Sequence, residues 1–233
     1  IPHIAGNLGV SVDSGTWVIT SFSASNAIFL PLTGRLSNFF GEIRLFIFSV
    51  ILFAFFSLLC GLAPNLPLLI FFRLMQGAVA GPLLPLSQSI LMTNNPKDMQ
   101  GLILAFWGMI VIVAPILGPI AGGYLTEMYS WPWIFFINAP IGAFSAFFTW
   151  FFLRGKDSKS ERSPIDWTGF FLLAVGVGCL QILLDKGKDL DWFESNTIWI
   201  LTIISTISLG LLNYLFTTLP ACRCISRSSH LFK

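Results

Sequence analysis

The sequence predicts an all-α polytopic membrane protein, and two observations carry that prediction. The 233 residues are 55% hydrophobic and 10% charged, with a mean hydropathy of +0.80. That balance leaves too few charged groups to cover a soluble body of this size. Uncharged runs cover 15–34, 45–63, 66–72, 74–93, 99–126, 128–153, 167–184 and 195–222, and a hydrocarbon core takes about 20 apolar residues to cross as helix. Merging the two runs around Arg73 gives seven complete spans, at 15–34, 45–63, 66–92, 101–125, 132–153, 167–184 and 196–219, joined by short polar hinges.

The basic residues report topology. A net charge of +2, with Lys and Arg dispersed along the chain, points away from nucleic acid. Arg35 and Arg44 lie between spans one and two, Lys97 between three and four, and Arg154, Lys156, Lys159 and Arg162 between five and six; Arg223, Arg227 and Lys233 follow the last span. The intervening connections hold only Lys186 and Lys188, beside Asp185, Asp189, Asp191 and Glu194. The positive-inside rule then puts the Arg-rich connections in the cytoplasm. Residue 15 starts at the outer face, which implies a preceding outward-running helix ending over Ile1 to Gly9. The polar segment 154–166, with Ser-Pro near its end, reads as a cytoplasmic linker between a helical bundle at 1–153 and two further spans at 167–219. Residues 220–233 read as an aberrant or truncated cytoplasmic tail.

Trp17, Trp131, Trp133, Trp167, Trp192 and Trp199 fall near predicted interfaces, where amphipathic rings prefer to lie. The 24 Phe residues are expected as lipid-facing and packing surface. Cys60 and Cys179 sit inside apolar runs, and Cys222 and Cys224 are one residue apart, so no disulfide and no metal site is assigned. Nothing calls for a cofactor.

No phosphate-cradling G-x-x-x-x-G-K-[ST] loop, HExxH or G-x-S-x-G occurs, so neither a nucleotide-driven pump nor a hydrolase is expected, and no catalytic residue is assigned. Coupled transport remains. Arg73 interrupts the third span about seven residues, or roughly 10 Å, from its outer end. A guanidinium at that depth costs several kcal/mol unless it faces a polar cavity or a partner, and it cannot shed its proton. Either it snorkels to the outer interface, or it points into the bundle. For the second reading, Gln76 lies one turn on, and Gly77 and Gly81 at i+4 and i+8 make a small face for a neighbouring helix. Arg73 would then tune a carboxyl group or order water in a proton path, with Gln76 and Gly77 as companions.

Ala114-Pro115-Ile116-Leu117-Gly118-Pro119-Ile120-Ala121-Gly122-Gly123 carries a second constellation. Ala114, Gly118 and Gly122 repeat every four residues and form a groove for tight helix contact, while Pro115 and Pro119 withdraw two helix hydrogen bonds and permit a bend. The run is a gating helix or a static packing motif. The hairpin from Gly34 to Arg44 holds two glycines for a tight turn, with Arg35, Asn38, Gly41, Glu42 and Arg44 at hand. In the first span, Thr16, Thr20, Ser23 and Asn26 supply a polar stripe that either lines a cavity or bonds back to its own helix. Pro82 and Pro85 break the third span near its inner half.

These residues carry a family resemblance. Leu69 to Gly77 (L-I-F-F-R-L-M-Q-G) resembles the fourth-helix motif of the major facilitator superfamily, and Ala114 to Gly123 its fifth-helix antiporter motif. I-A-G-N-L-G at Ile4 to Gly9, G-T-W-V-I-T at Gly15 to Thr20, W-I-F-F-I-N-x-P-I-G at Trp133 to Gly142 and L-D-x-G-x-x-x-D-W-F at Leu184 to Phe193 narrow the likeness to its 14-span drug/proton antiporters of the EmrB type. The resemblance covers about residues 1–215. It implies the end of helix one, helices two to six of the N-terminal six-helix bundle, and the two extra linker helices, seven and eight. It assigns proton coupling to Arg73 and antiporter gating to the fifth-helix run. The chain departs from the family pattern at Asn38, where an acidic residue is usual, at Glu42 and Ile43, where a basic pair is usual, and at Ala105 and Ala114, where the fuller pattern has glycine.

The expected function is proton-coupled multidrug efflux across the bacterial inner membrane by a multi-pass antiporter conferring drug resistance, present here as a fragment inactive alone. The resemblance also implies amphipathic drug substrates, a periplasmic membrane-fusion adaptor and an outer-membrane channel. Two alternatives are an exporter of a single metabolite and a non-transporting membrane protein. No Asp or Glu lies inside a complete span, so the protonatable partner is expected in the first helix, at a loop edge or in a second half.

Overall fold

Proline, glycine and asparagine divide the apolar runs into helices. The computed structural model describes residues 2–155, 167–190 and 192–218; most of the expected linker and the tail lie outside the described residues. Two short helices, α1 (Pro2–Asn7) and α2 (Val12–Gly15), open the chain. α3 (Trp17–Phe29) passes through a 3-10 turn at Leu30–Leu32 into α4 (Thr33–Phe40). Gly41 then turns the chain at φ +87°, a conformation that strains residues with a Cβ, and α5 (Glu42–Gly61) follows. The Asn65 side chain caps α6 (Leu66–Ala80) by accepting from Leu68 N–H at 3.0 Å, and Pro67 sits in the first turn, where its missing donor costs nothing. The remaining helices are α7 (Leu83–Thr93), α8 (Lys97–Met128), α9 (Trp133–Phe136), α10 (Asn138–Leu153), α11 (Trp167–Lys186) and α12 (Asn196–Thr218). The described residues contain no strand.

Among the described residues, six stretches are long and apolar enough to cross a bilayer: Glu42–Gly61, Leu66–Thr93, Lys97–Met128, Trp133–Leu153, Thr168–Lys186 and Asn196–Leu215. They correspond to expected spans two to seven. The expected first span, 15–34, is not one uninterrupted helix. Pro31 has no N–H to donate, the backbone tightens to 3-10 at that point, and the helix is shared between α3 and α4. The third span breaks at Gly81–Pro82, between α6 and α7. Pro115 and Pro119, by contrast, lie inside a continuous α8.

Backbone approach sets the packing of the bundle. A methyl group at Gly77 would press on the Phe22 carbonyl oxygen and come within 3.0 Å of Ser25 Cβ, and one at Gly81 would lie 2.9 Å from Leu30 N. These two glycines therefore let α3 lie directly against α6, and Ser25 Oγ donates across the seam to the Leu74 carbonyl at 2.7 Å. That contact changes the reading of the polar stripe. Thr20 is buried, Asn26 meets α6 through its backbone, and Thr16 pairs with Lys186, so the stripe lines neither of the cavities described below. α5 packs between α6 and α10, with Gly142 against Ala54.

One end of the bundle is closed by an apolar plug of Val18, Cys60, Ala63, Leu69, Trp131 and Phe135, with Ile4, Leu8, Leu66 and Phe72 around it. Trp131, expected at an interface, is 7% exposed because α9 turns it into this plug; Trp133 stays 48% exposed.

α11 and α12 pack on each other and α11 runs antiparallel along α3. Phe170 meets Phe29 edge-on at one end (ring centroids 6.1 Å apart), and Lys186 meets Thr16 at the other. Lys186, expected in the connection between the last two spans, ends α11 and is buried. Its ammonium donates to the Asp13 carbonyl (3.3 Å), the Thr16 hydroxyl and Asp189 (3.1 Å), and lies 5.4 Å from the centre of the Trp17 ring. It borders a cavity of about 330 Å³.

α8 buries no residue and has its main contacts with α7 and α9, including a Trp107 indole hydrogen bond to Ser87 Oγ at 3.1 Å. A methyl group at Gly118, Gly122 or Gly123 would meet nothing within 4 Å. The tight helix contact expected along Ala114, Gly118 and Gly122 is therefore not made among the described residues, because α8 turns this face away from the bundle.

The two sets of glycines should respond oppositely to alanine. Gly77→Ala should lower the unfolding free energy in mixed micelles by about 1–3 kcal/mol through overpacking. Gly118→Ala should be neutral or raise it by up to about 1 kcal/mol, the helix-propensity gain.

Candidate functional site

The most constrained charge in the bundle is Arg73, on α6 one turn beyond the buried Leu69. Its guanidinium carbon lies 4.6 Å from the centre of the Phe135 ring and 5.2 Å from that of Phe22. Aromatic faces carry a negative quadrupole, and a desolvated pair of this kind is worth about 2 kcal/mol or more. Arg73 Nη1 also donates to Gln76 Oε1 at 3.0 Å. The same oxygen accepts from Cys60 Sγ at 3.7 Å, and Gln76 and Cys60 are both fully buried. Arg73 thus spends its charge on ring faces and an amide within the bundle rather than snorkelling. Two buried donors, Arg73 Nε and Gln76 Nε2, have no hydrogen-bond acceptor among the described residues. Buried donors are normally paired, so these two give the site capacity for a further acceptor.

A second polar chain positions Phe135. Ser57 Oγ donates to the Phe135 carbonyl at 2.8 Å, and Asn138 Nδ2 donates to Ser57 Oγ at 3.0 Å. These bonds tie α5 to the junction of α9 and α10 and hold the Phe135 ring, 2% exposed, under the guanidinium. Reading phenylalanines as a general apolar surface misses Phe22 and Phe135. Ser57 carries no signal in the sequence; Asn138 stands in the Trp133–Gly142 run, two residues before Pro140, without a role assigned to it there.

The other sequence candidates are dispersed. Gly77 touches α3 beside the Arg73 site. Ala114, Pro115, Gly118, Pro119, Gly122 and Gly123 lie on α8, apart from the α3–α6 seam. In the hairpin, Gly34, Arg35 and Asn38 belong to α4, so Gly34 is not a turn residue; Gly41 alone makes the turn, at positive φ. Glu42 accepts from Ser89 Oγ at 3.0 Å and ties α5 to α7, while Arg44 stands exposed in the first turn of α5.

Comparison with known proteins identifies the family. The sequence profile of the Major Facilitator Superfamily matches residues 1–225. The chain belongs to the major facilitator superfamily. It is therefore an all-α, multi-pass membrane protein with a piece of the major facilitator fold. It is 54% identical over 209 residues to the multidrug export protein EmrB of Escherichia coli (strain K12), a match covering 90% of this chain and 41% of that protein. The corresponding EmrB of Haemophilus influenzae is 52% identical over the same shares. The fatty acid resistance protein FarB of Neisseria gonorrhoeae is 51% identical over 210 residues, again 90% of this chain and 41% of the relative. The chain thus spans about two-fifths of the length of the curated relatives it matches.

The clamp predicts a specific cost. Phe135→Leu, which keeps apolar bulk but removes the ring face, should lower the unfolding free energy by about 2 kcal/mol. Phe151→Leu, at an exposed ring on α10, should change it by less than about 0.5 kcal/mol in the same assay.

Proposed function

We propose that the chain forms the N-terminal part of a proton-coupled multidrug exporter in the bacterial inner membrane, oriented with its Arg-rich connections in the cytoplasm. The observation that carries the reading is the Arg73 clamp. Its guanidinium stays charged, so it does not itself carry the transported proton. It acts on another group: a carboxylate brought to Arg73 Nε and Gln76 Nε2 gains a charge-assisted pair, and protonation of that carboxyl weakens it. Proton binding then alternately releases and re-forms a contact inside the bundle. The apolar plug beside the clamp supports a bundle closed at one end. The break at Gly81–Pro82 and the exposed small face of α8, with Ala114, Pro115, Gly118, Pro119, Gly122 and Gly123 as gating residues, supply elements able to shift between states.

Alternating access takes two bundles rocking about a midplane site. With two-fifths of the length of its relatives, this segment supplies one bundle and the α11–α12 pair to such an assembly. The substrates are amphipathic drugs. A periplasmic membrane-fusion adaptor and an outer-membrane channel complete the export route. The relative named for fatty acid resistance favours a second reading, export of one class of metabolite.

Everted membrane vesicles containing a full-length exporter with this segment test both. Several unrelated dyes should each discharge the imposed proton gradient, and Arg73→Ala should reduce that flux about tenfold or more, the factor corresponding to about 1.4 kcal/mol of lost pairing. Discharge by a single compound would favour the metabolite reading, and undiminished flux in Arg73→Ala would remove Arg73 from coupling.

A further inference from the structure

A second cavity, of about 600 Å³, lies between α4, α5 and the end of α6, away from the Arg73 clamp. Phe29, Phe39, Phe40, Phe48 and Leu52 make its walls apolar, and Arg44 stands at one end. Arg44, Phe48 and Leu52 follow one another at i, i+4 and i+8, so they form a single stripe along α5. Leu52 lies eight residues beyond Arg44, or about 12 Å at 1.5 Å per residue. One leaflet contributes about half of a hydrocarbon core about 30 Å thick, so the cavity follows most of a leaflet's depth, with its charge at the water-facing end.

The exposed rings of Phe39, Phe40 and Phe48 bring apolar surface to the outside of the bundle at this point. Charge decides what covers it. Arg44 is the charged residue among those that line the cavity. The nearby acid, Glu42, is engaged by Ser89. An arginine presents a fork of N–H donors that matches phosphate oxygens in pairs and can serve a new acceptor alongside an existing contact.

We propose that this cavity binds one anionic phospholipid of the cytoplasmic leaflet, with an acyl chain against Phe29, Phe39, Phe48 and Leu52 and the phosphate on Arg44. The choice of leaflet rests on the orientation proposed above; the binding itself rests on the cavity. A zwitterionic phospholipid offers the same chain but no net charge to Arg44. A bound lipid would brace α4 against α5 and α6 at the hairpin, where Gly41 leaves the backbone free to hinge.

Native mass spectrometry of the purified chain tests this, with palmitoyl-oleoyl phosphatidylglycerol, palmitoyl-oleoyl phosphatidylethanolamine and oleate supplied at equal concentration. The chain should retain one phosphatidylglycerol with about a fivefold preference over phosphatidylethanolamine, the factor one interfacial arginine contributes. Arg44→Gln should abolish that preference, and Ala78→Phe, which fills the cavity wall on α6, should abolish retention of either lipid. Equal retention of both lipids by the unaltered chain, unchanged preference in Arg44→Gln, or preferential retention of oleate would overturn the proposal. Should Ala78→Phe fail to fold, the exposed Arg44→Gln variant decides the matter. The lipids reach the cavity whichever way the chain is oriented, so a negative result indicts the cavity and leaves the transport reading standing.

Discussion

The burial of one guanidinium is the constraint around which this bundle is arranged. Arg73 cannot lose its proton, and an uncompensated cation among apolar helices is costly. The fold compensates it with two ring faces and one amide oxygen, contributed by α3, α9 and α6 itself. Each contribution depends on something else. Phe22 comes close because Gly77 and Gly81 let the backbones of α3 and α6 meet, and Phe135 is held because Ser57 and Asn138 fix the backbone beneath it. Backbone contact, a short polar chain and aromatic packing thus converge on one charged group.

Much of this was legible from spacing, because Arg73, Gln76 and Gly77 sit on one helix where i, i+3 and i+4 relations are read from the chain. The ring partners were not. Phe22 and Phe135 reach Arg73 from distant segments, and nothing in an apolar span rich in phenylalanine distinguishes a ring that faces lipid from one that faces a cation. The small-residue run on α8 shows the opposite limit. Its period was plain, yet period alone does not say whether another helix lies on that face, and here none of the described helices does. The polar stripe along α3 shows a related limit: the same pattern suits a packed seam and a wet cavity, and at Ser25 and Asn26 the glycines on α6 make a seam. Local backbone chemistry was readable where one residue decides it, as at Gly41, but Pro31 split a span that hydropathy had drawn as continuous.

The pair α11–α12 gives the molecule a second organising contact. α11 lies along α3, joined by aromatic contact at one end and by the buried Lys186 at the other. Since α3 also carries Phe22, the helix that touches the clamp is the helix on which the added pair rests. Movement of α3 would therefore be felt by both. α8, with no buried residue, stands at the other extreme and is the helix least restrained by this bundle.

The central claim is that Arg73 is a charged group shielded between two rings. Proton-detected NMR of the chain labelled with 15N at arginine, with Arg73→Lys to assign the signal, tests it most directly. The account predicts that the Arg73 Nε–H signal is displaced by the ring currents of Phe22 and Phe135 and persists at pH values where the other arginine signals have exchanged away. An Arg73 signal that coincides with those of the surface arginines and disappears with them would contradict it.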